Sequence, residues 1–171
     1  MADHTESSGT GIKPYRTFFG SMPTLGYPES ASSTFAYGDL VQLNQDASTD
    51  VHRVEVASSL STAYLGVAAG NASSNQDDVI PIYVAHQNAE FIGWFKGTLA
   101  SSITGTYRNF ARDTTRAIDY ISSSGTGVTV QITEVGLQNI AGGPYNVGDS
   151  NGYVAFRFNP DNTAFGASTG S

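Results

Sequence analysis

A chain of 171 residues with no cysteine and a formal charge of −7 is long enough to bury roughly 70% of its unfolded surface in one domain, and that core forms without disulfides or cysteine-held metal. Only 13% of the residues are charged, against about 25% in an ordinary globular protein, and Gly, Ser, Thr and Asn fill the gap, a composition of strands joined by turns. With Lys13 and Lys96 as the only lysines and a pI near 4.6, the overall field repels a polyanion, which argues against direct nucleic-acid binding, and no apolar run approaches the ~18 residues of a membrane span.

Met1 to Gly11 is small and polar, and it lacks the apolar stretch of a secretory signal, so synthesis in a cytoplasm is expected. Aromatic residues and prolines then alternate with glycines from Pro14 to Pro28 with neither strand nor helix period. Prolines fix φ and remove donors, so residues 1–36 read as an extended, irregular N-terminal arm. Its aromatics are expected either to lie over the domain's own core or to pack on a neighbouring subunit.

Strand patterns begin at Tyr37. Leu40, Val41 and Leu43 mark a first strand, Val51, Val54 and Val56 a second, and the apolar run Tyr64–Ala69 a third that is expected to be buried on both faces. Val79–Ala85 is a fourth, and Pro81 within it points to an edge or a strand start. Ala89–Lys96, with Phe91 and the sole tryptophan Trp94, is a fifth. Residues 111–120 fit a helical turn or a strand, with a strand over 115–122 favoured by Ile118 and Tyr120. Val128, Val130 and Ile132 alternate with Thr129, Gln131 and Thr133, and the phase slips at Glu134, where a bulge is expected. Asn151-Gly152 marks a tight turn, and Val154, Phe156 and Phe158 form the last strand. The tail from Asp161 to Ser171 is polar and expected to be loose. This predicts an all-β fold: a single small β-barrel or β-sandwich of about eight short strands over residues 37–160, with the arm before it and the tail (161–171) after it. No repeat of about 20–50 residues is apparent.

Reactive chemistry is sparse. His4, His52 and His86 lack the spacing of a zinc site, with His52 expected to face solvent from its strand and His86 to sit in a turn. No G-x-S-x-G elbow accompanies the many serines. Asp77-Asp78 and the Asn159–Asn162 stretch lack the alternating ligands of a calcium loop and read as solvated loops. Glu55, Glu90 and Glu134 lie in strands with nothing to show that they converge as a carboxylate pair. Arg108, Arg112 and Arg116, at four-residue spacing, suggest one exposed helical face. No catalytic residue, cofactor or metal is therefore predicted, and the chain is read as non-enzymatic. Trp94 is read as a core plug of its strand. Were it exposed with Tyr37 and Tyr107, the three would instead form the platform of a carbohydrate-binding or receptor-binding β-sandwich module.

Taken together, Gly38-Asp39-Leu40-Val41, the LGVAAG run Leu65–Gly70, and Ile82-Tyr83-Val84 leading to Asn88-Ala89-Glu90-Phe91 resemble the capsid decoration (cement) proteins of tailed bacteriophages, and the closing VAFRFNP is similar to that family's terminal strand. His86 or Gln87 stands where the family often carries an Asp. The resemblance implies a virion structural protein on the capsid's outer surface. Its partners would be a major capsid protein of HK97-like fold and further copies of itself, as a homotrimer. It would bridge neighbouring capsomers and stabilise the shell against the pressure of packaged DNA. Under that reading the arm residues Tyr15, Phe18, Phe19, Met22, Leu25 and Tyr27 are the candidate partner-binding anchors, because aromatic and large apolar side chains dominate such contacts.

Overall fold

A computed structural model describes residues 11–18, 20–46, 51–57, 63–124 and 127–164. Among them are twelve strands: β1 (Lys13–Thr17), β2 (Thr24–Pro28), β3 (Leu40–Asp46), β4 (Val51–Val56), β5 (Tyr64–Ala68), β6 (Val79–Val84), β7 (Ala89–Thr98), β8 (Tyr107–Arg108), β9 (Phe110–Asp113), β10 (Ile118–Ser122), β11 (Val130–Glu134) and β12 (Ser150–Phe158). They form two sheets. The larger runs β8-β11-β12-β7-β10-β9, with β1 added on β7. Only Asn109 separates β8 from β9, so the chain itself joins the two ends of this path, and its six strands make a nearly closed barrel. The second sheet, β2-β6-β5-β3-β4, is open, with a single bridge from Glu29 to Val54 reaching across its edges.

The apolar content of β7 puts it at the centre of the barrel wall, and Ala89 to Phe95 are all buried. β12 pairs along one side of it; on the other, β1 covers Ala89–Ile92 and β10 runs parallel at Phe95 and Lys96. Phe91, Phe110, Phe156 and Phe158 fill the interior, with Phe110 and Phe156 centroids 5.5 Å apart, edge to face. β5 is buried on both faces as expected. Its Tyr64 and Val67 enter the barrel core, while Leu65 and Ala68 enter a second, smaller core with Phe35, Val41, Val54, Ile80 and Ile82.

Two turns of the same design start β3 and β12. In Phe35-Ala36-Tyr37-Gly38-Asp39, Asp39 Oδ2 accepts from Ala36 N at 2.9 Å, Gly38 N donates to Ala68 O and Ala68 N donates to Asp39 O. In Tyr145-Asn146-Val147-Gly148-Asp149, Asp149 Oδ2 accepts from Asn146 N at 2.9 Å, Gly148 N donates to Leu99 O and Leu99 N donates to Asp149 O. Both glycines have φ in the left-handed region, 89° and 101°, which explains the residue type. Each turn buries its leading aromatic and its aspartate and leaves Tyr37 or Val147 exposed.

Several expectations need correction. Twelve strands in two sheets replace one barrel or sandwich of about eight. The segment read as irregular contains β1 and β2. Pro81 lies inside β6, which is paired on both sides; its carbonyl accepts from Ala69 N, so its missing N–H falls on the same side, just past the end of β5. Asn151-Gly152 is a bulge within β12, where the register against β7 shifts between Ser150 and Gly152 and Asn151 has φ of 59°. Arg108, Arg112 and Arg116 do not share a helical face; they lie on β8, on β9 and in the turn after it. The strand expected over 115–122 begins at Ile118. The bulge expected near Glu134, by contrast, is present, as a register shift against β12 between Ile132 and Glu134. In the tail, Asn159 caps a 3-10 turn over Pro160–Asn162 and Ala164 N donates to Tyr64 O, so residues up to 164 pack on the body. Residues 1–10, Phe19 and 165–171 lie outside the described residues.

Candidate interaction surface

Five of the six arm residues are among the described residues, and they divide between two places. On β1, Tyr15 is half-buried against the barrel core, and just beyond it Phe18 is 46% exposed. They flank an ion network. Glu90, with no exposed surface, accepts from Arg16 Nε through one oxygen and from Arg157 Nε through the other, at 3.0 Å. Arg16 also reaches Glu134 at 3.1 Å, so two of the three glutamates named from the sequence do converge, on an arginine. The two guanidiniums lie over the Tyr15 and Phe18 rings, 5.0 and 4.2 Å from their centroids. Met22 packs on the barrel core and Tyr27 on the second core, where burial raises its phenol above the ordinary value. Leu25, opposite Ile82, is 49% exposed on edge strand β2. Phe19 is not described.

The outer face of the same strands carries a surface that the sequence reading missed; Leu25, paired with buried Ile82, lies on the inward side at the sheet edge. Alternation along β6 turns Ile80, Ile82 and Val84 inward and leaves Val79, Pro81 and Tyr83 on the outer face, with Val79 68% exposed. Tyr37, at the tip of its turn, meets the Tyr83 ring edge-on at 6.4 Å. Gly26 stands opposite Pro81; a Cβ there would come within 2.7 Å of Val79. Neither β2 nor β6 carries a charged residue. The signal was present in VIPIYV, where the residues opposite the buried set are also apolar.

The polar groups that invite a catalytic or metal reading have structural partners. Asp77 pairs with Arg53 at 2.7 Å, and Asp78 accepts from Ser73 Oγ at 2.7 Å. Glu29, fully buried, accepts from Ser73 N and Ser74 N. Glu55 accepts from the Gln42 and Asn44 amides. His86 Nδ1 accepts from Asn88 N in its turn, and His52 is exposed on β4. Among the described residues no three His, Asp or Glu side chains are placed to hold a metal ion, and no helix is long and apolar enough to cross a membrane.

Trp94 is 3% exposed, edge-on to Tyr153 at 5.4 Å and to Tyr145 at 6.1 Å. It offers no face to a sugar ring. Its fluorescence is expected to be blue-shifted, resistant to acrylamide and indifferent to added glycans; a quenchable, sugar-sensitive emission would contradict this packing.

The fold and this surface define an all-β protein, a nearly closed barrel with an open sheet beside it, with Tyr37, Val79, Pro81 and Tyr83 forming an apolar face on the open sheet. Comparison with protein-family models, with curated proteins and with solved structures finds no match for the chain.

Proposed function

We propose that this protein is a non-enzymatic virion structural protein that binds the outer surface of a bacteriophage capsid and bridges neighbouring capsomers. The reading rests on the motif resemblance, and one structural observation supports it: the uncharged, apolar outer face of β6 beside the uncharged edge strand β2. On an acidic protein, an exposed apolar patch beside a strand without charged residues suits a protein–protein contact surface. The partners are then a major capsid protein and further copies of the chain, as a homotrimer. Each copy contributes modest energy, and contacts across a closed lattice sum to firm attachment. The carbohydrate-binding alternative loses its main support with the burial of Trp94.

The test is incubation with undecorated, expanded shells, followed by imaging and by mass measurement of the free protein. Wild-type protein is expected to decorate the shells. Val79→Lys combined with Tyr37→Lys, both at exposed positions of that face, is expected to lower occupancy at least about tenfold with an unchanged melting temperature. Shells left bare by the wild type, or decorated equally by the variant, would overturn the proposal.

A further inference from the structure

We propose that Asp39, Arg112 and Asp119 form an acid-tightened clasp that holds the open sheet and the N-terminal strand against the barrel. Asp39 ends the turn before β3, Arg112 lies on β9 and Asp119 on β10, so the three side chains join the two sheets. Arg112 Nη1 stands 3.1 Å from both carboxylate oxygens of Asp119, and its Nη2 stands 3.5 Å from Oδ2 of Asp39. Leu40 N, at the first residue of β3, donates to Asp119 Oδ2 at 3.0 Å. Gly38 O, in the same turn, accepts from Ile12 N at 2.9 Å, just before β1. A Cβ on Gly11 would come within 2.8 Å of Gly38 Cα, so the approach to β1 is seated on this turn as closely as backbones pack.

The charges at this junction are uneven. Asp39 and Asp119, 6% and 5% exposed, face one guanidinium. The further titratable group facing Asp119 is Tyr64 of β5, whose phenol is held well above its ordinary value by burial and by the Asp119 charge. Next to Arg112 on β9, Asp113 pairs with Lys96 at 3.1 Å. Burial raises the Asp119 carboxyl to about 6, with the Asp39 charge adding to the rise and the Leu40 amide and Arg112 opposing it. Burial also raises Asp39, against the pull of the Ala36 amide and Arg112. One proton on the pair leaves one carboxylate matched to one guanidinium. Because the folded pKa lies above the unfolded one, the folded state binds the extra proton. Stability therefore rises as pH falls through about 6 and is lost as pH rises through it.

Thermal unfolding of the full chain at about pH 7.5 and about pH 5 tests this. The wild-type melting temperature is expected to be roughly 5 °C higher at the lower pH, and Asp119→Asn to show less than about half of that rise. Exchange protection of the Ile12 and Leu40 amides, corrected for intrinsic rates, is expected to increase over the same window in the wild type and not in the variant. If Asp119→Asn does not fold, carboxyl-carbon NMR of the wild type and of Asp39→Asn decides the matter, with the Asp119 midpoint moving down in the variant. Parallel pH profiles for wild type and Asp119→Asn, or an Asp119 midpoint in the ordinary carboxylate range, would overturn the proposal.

Discussion

Replacing Arg16 and Arg157 together by methionine is expected to lower stability by roughly 3–5 kcal/mol, and changing Glu90 to Gln in the same chain is expected to restore most of that. Glu90 has no exposed surface, and its two oxygens are divided between the two arginines. Without them a carboxylate is left buried on the central strand of the barrel with no counter-charge, the situation that makes broken buried pairs costly. The arginine side chains themselves are 46% and 36% exposed and can hydrate, so the penalty belongs to the carboxylate. Each single replacement leaves one charged hydrogen bond in place and is expected to cost about 1.5–3 kcal/mol. Urea unfolding of the singles, the double and the Gln-containing triple measures all of these. A double that equals one single, or a Gln chain that is no more stable than the double, would show that Glu90 is solvated some other way. The same network seats β1: Arg16 lies opposite Glu90 in the β1–β7 ladder, and the arginines cover Tyr15 and Phe18. Two of the arm residues named as partner anchors are thus positioned by ion pairs with the barrel wall.

Strands with a dense apolar signal were legible in the sequence. β3 to β7, β11 and β12 carry enough Val, Ile, Leu and Phe for their pattern to stand above the turns, and the double burial of β5 followed from its unbroken run. β1 and β2 were hidden by Pro14, Gly26 and Pro28, residues that normally argue against strands; each of these two strands pairs with only one neighbour in its ladder, so the missing donors cost little there. β8 and β9 are too short to show a period, and they become strands because one bent segment serves both ends of the barrel path. The division into two sheets is set by pairings such as β7 with β12, which are far apart in the chain. The repeated aromatic-x-apolar-Gly-Asp turn was readable, FAYGD against YNVGD, but it is five residues long and escapes a search for longer repeats. On edge strand β2, Leu25 was named from the sequence. Val79, Pro81 and Tyr83 were not, because a proline inside a doubly paired strand contradicts the usual rule.

Gly66→Ala is expected to cost about 3 kcal/mol or more and to lower the stability of both sheets together. Gly66 sits in β5 opposite Val41 of β3 and Val84 of β6, at the register shift between Val41 and Gln42. A Cβ there would lie 2.0 Å from the Tyr83 carbonyl oxygen. That atom belongs to the backbone of a neighbouring paired strand and has no rotamer by which to withdraw, so β5 and β6 must separate locally. The damage cannot stay in the open sheet. β5 places Tyr64 and Val67 in the barrel core and Leu65 and Ala68 in the smaller one, so any shift of its backbone moves side chains in both. Trp94, buried in the barrel and on the other sheet, is therefore expected to report the same lowered urea midpoint as far-ultraviolet circular dichroism, as one cooperative unit does. Two separated transitions, with Trp94 unaffected at the first, would show that the open sheet unfolds alone and that the shared strand does not couple the cores.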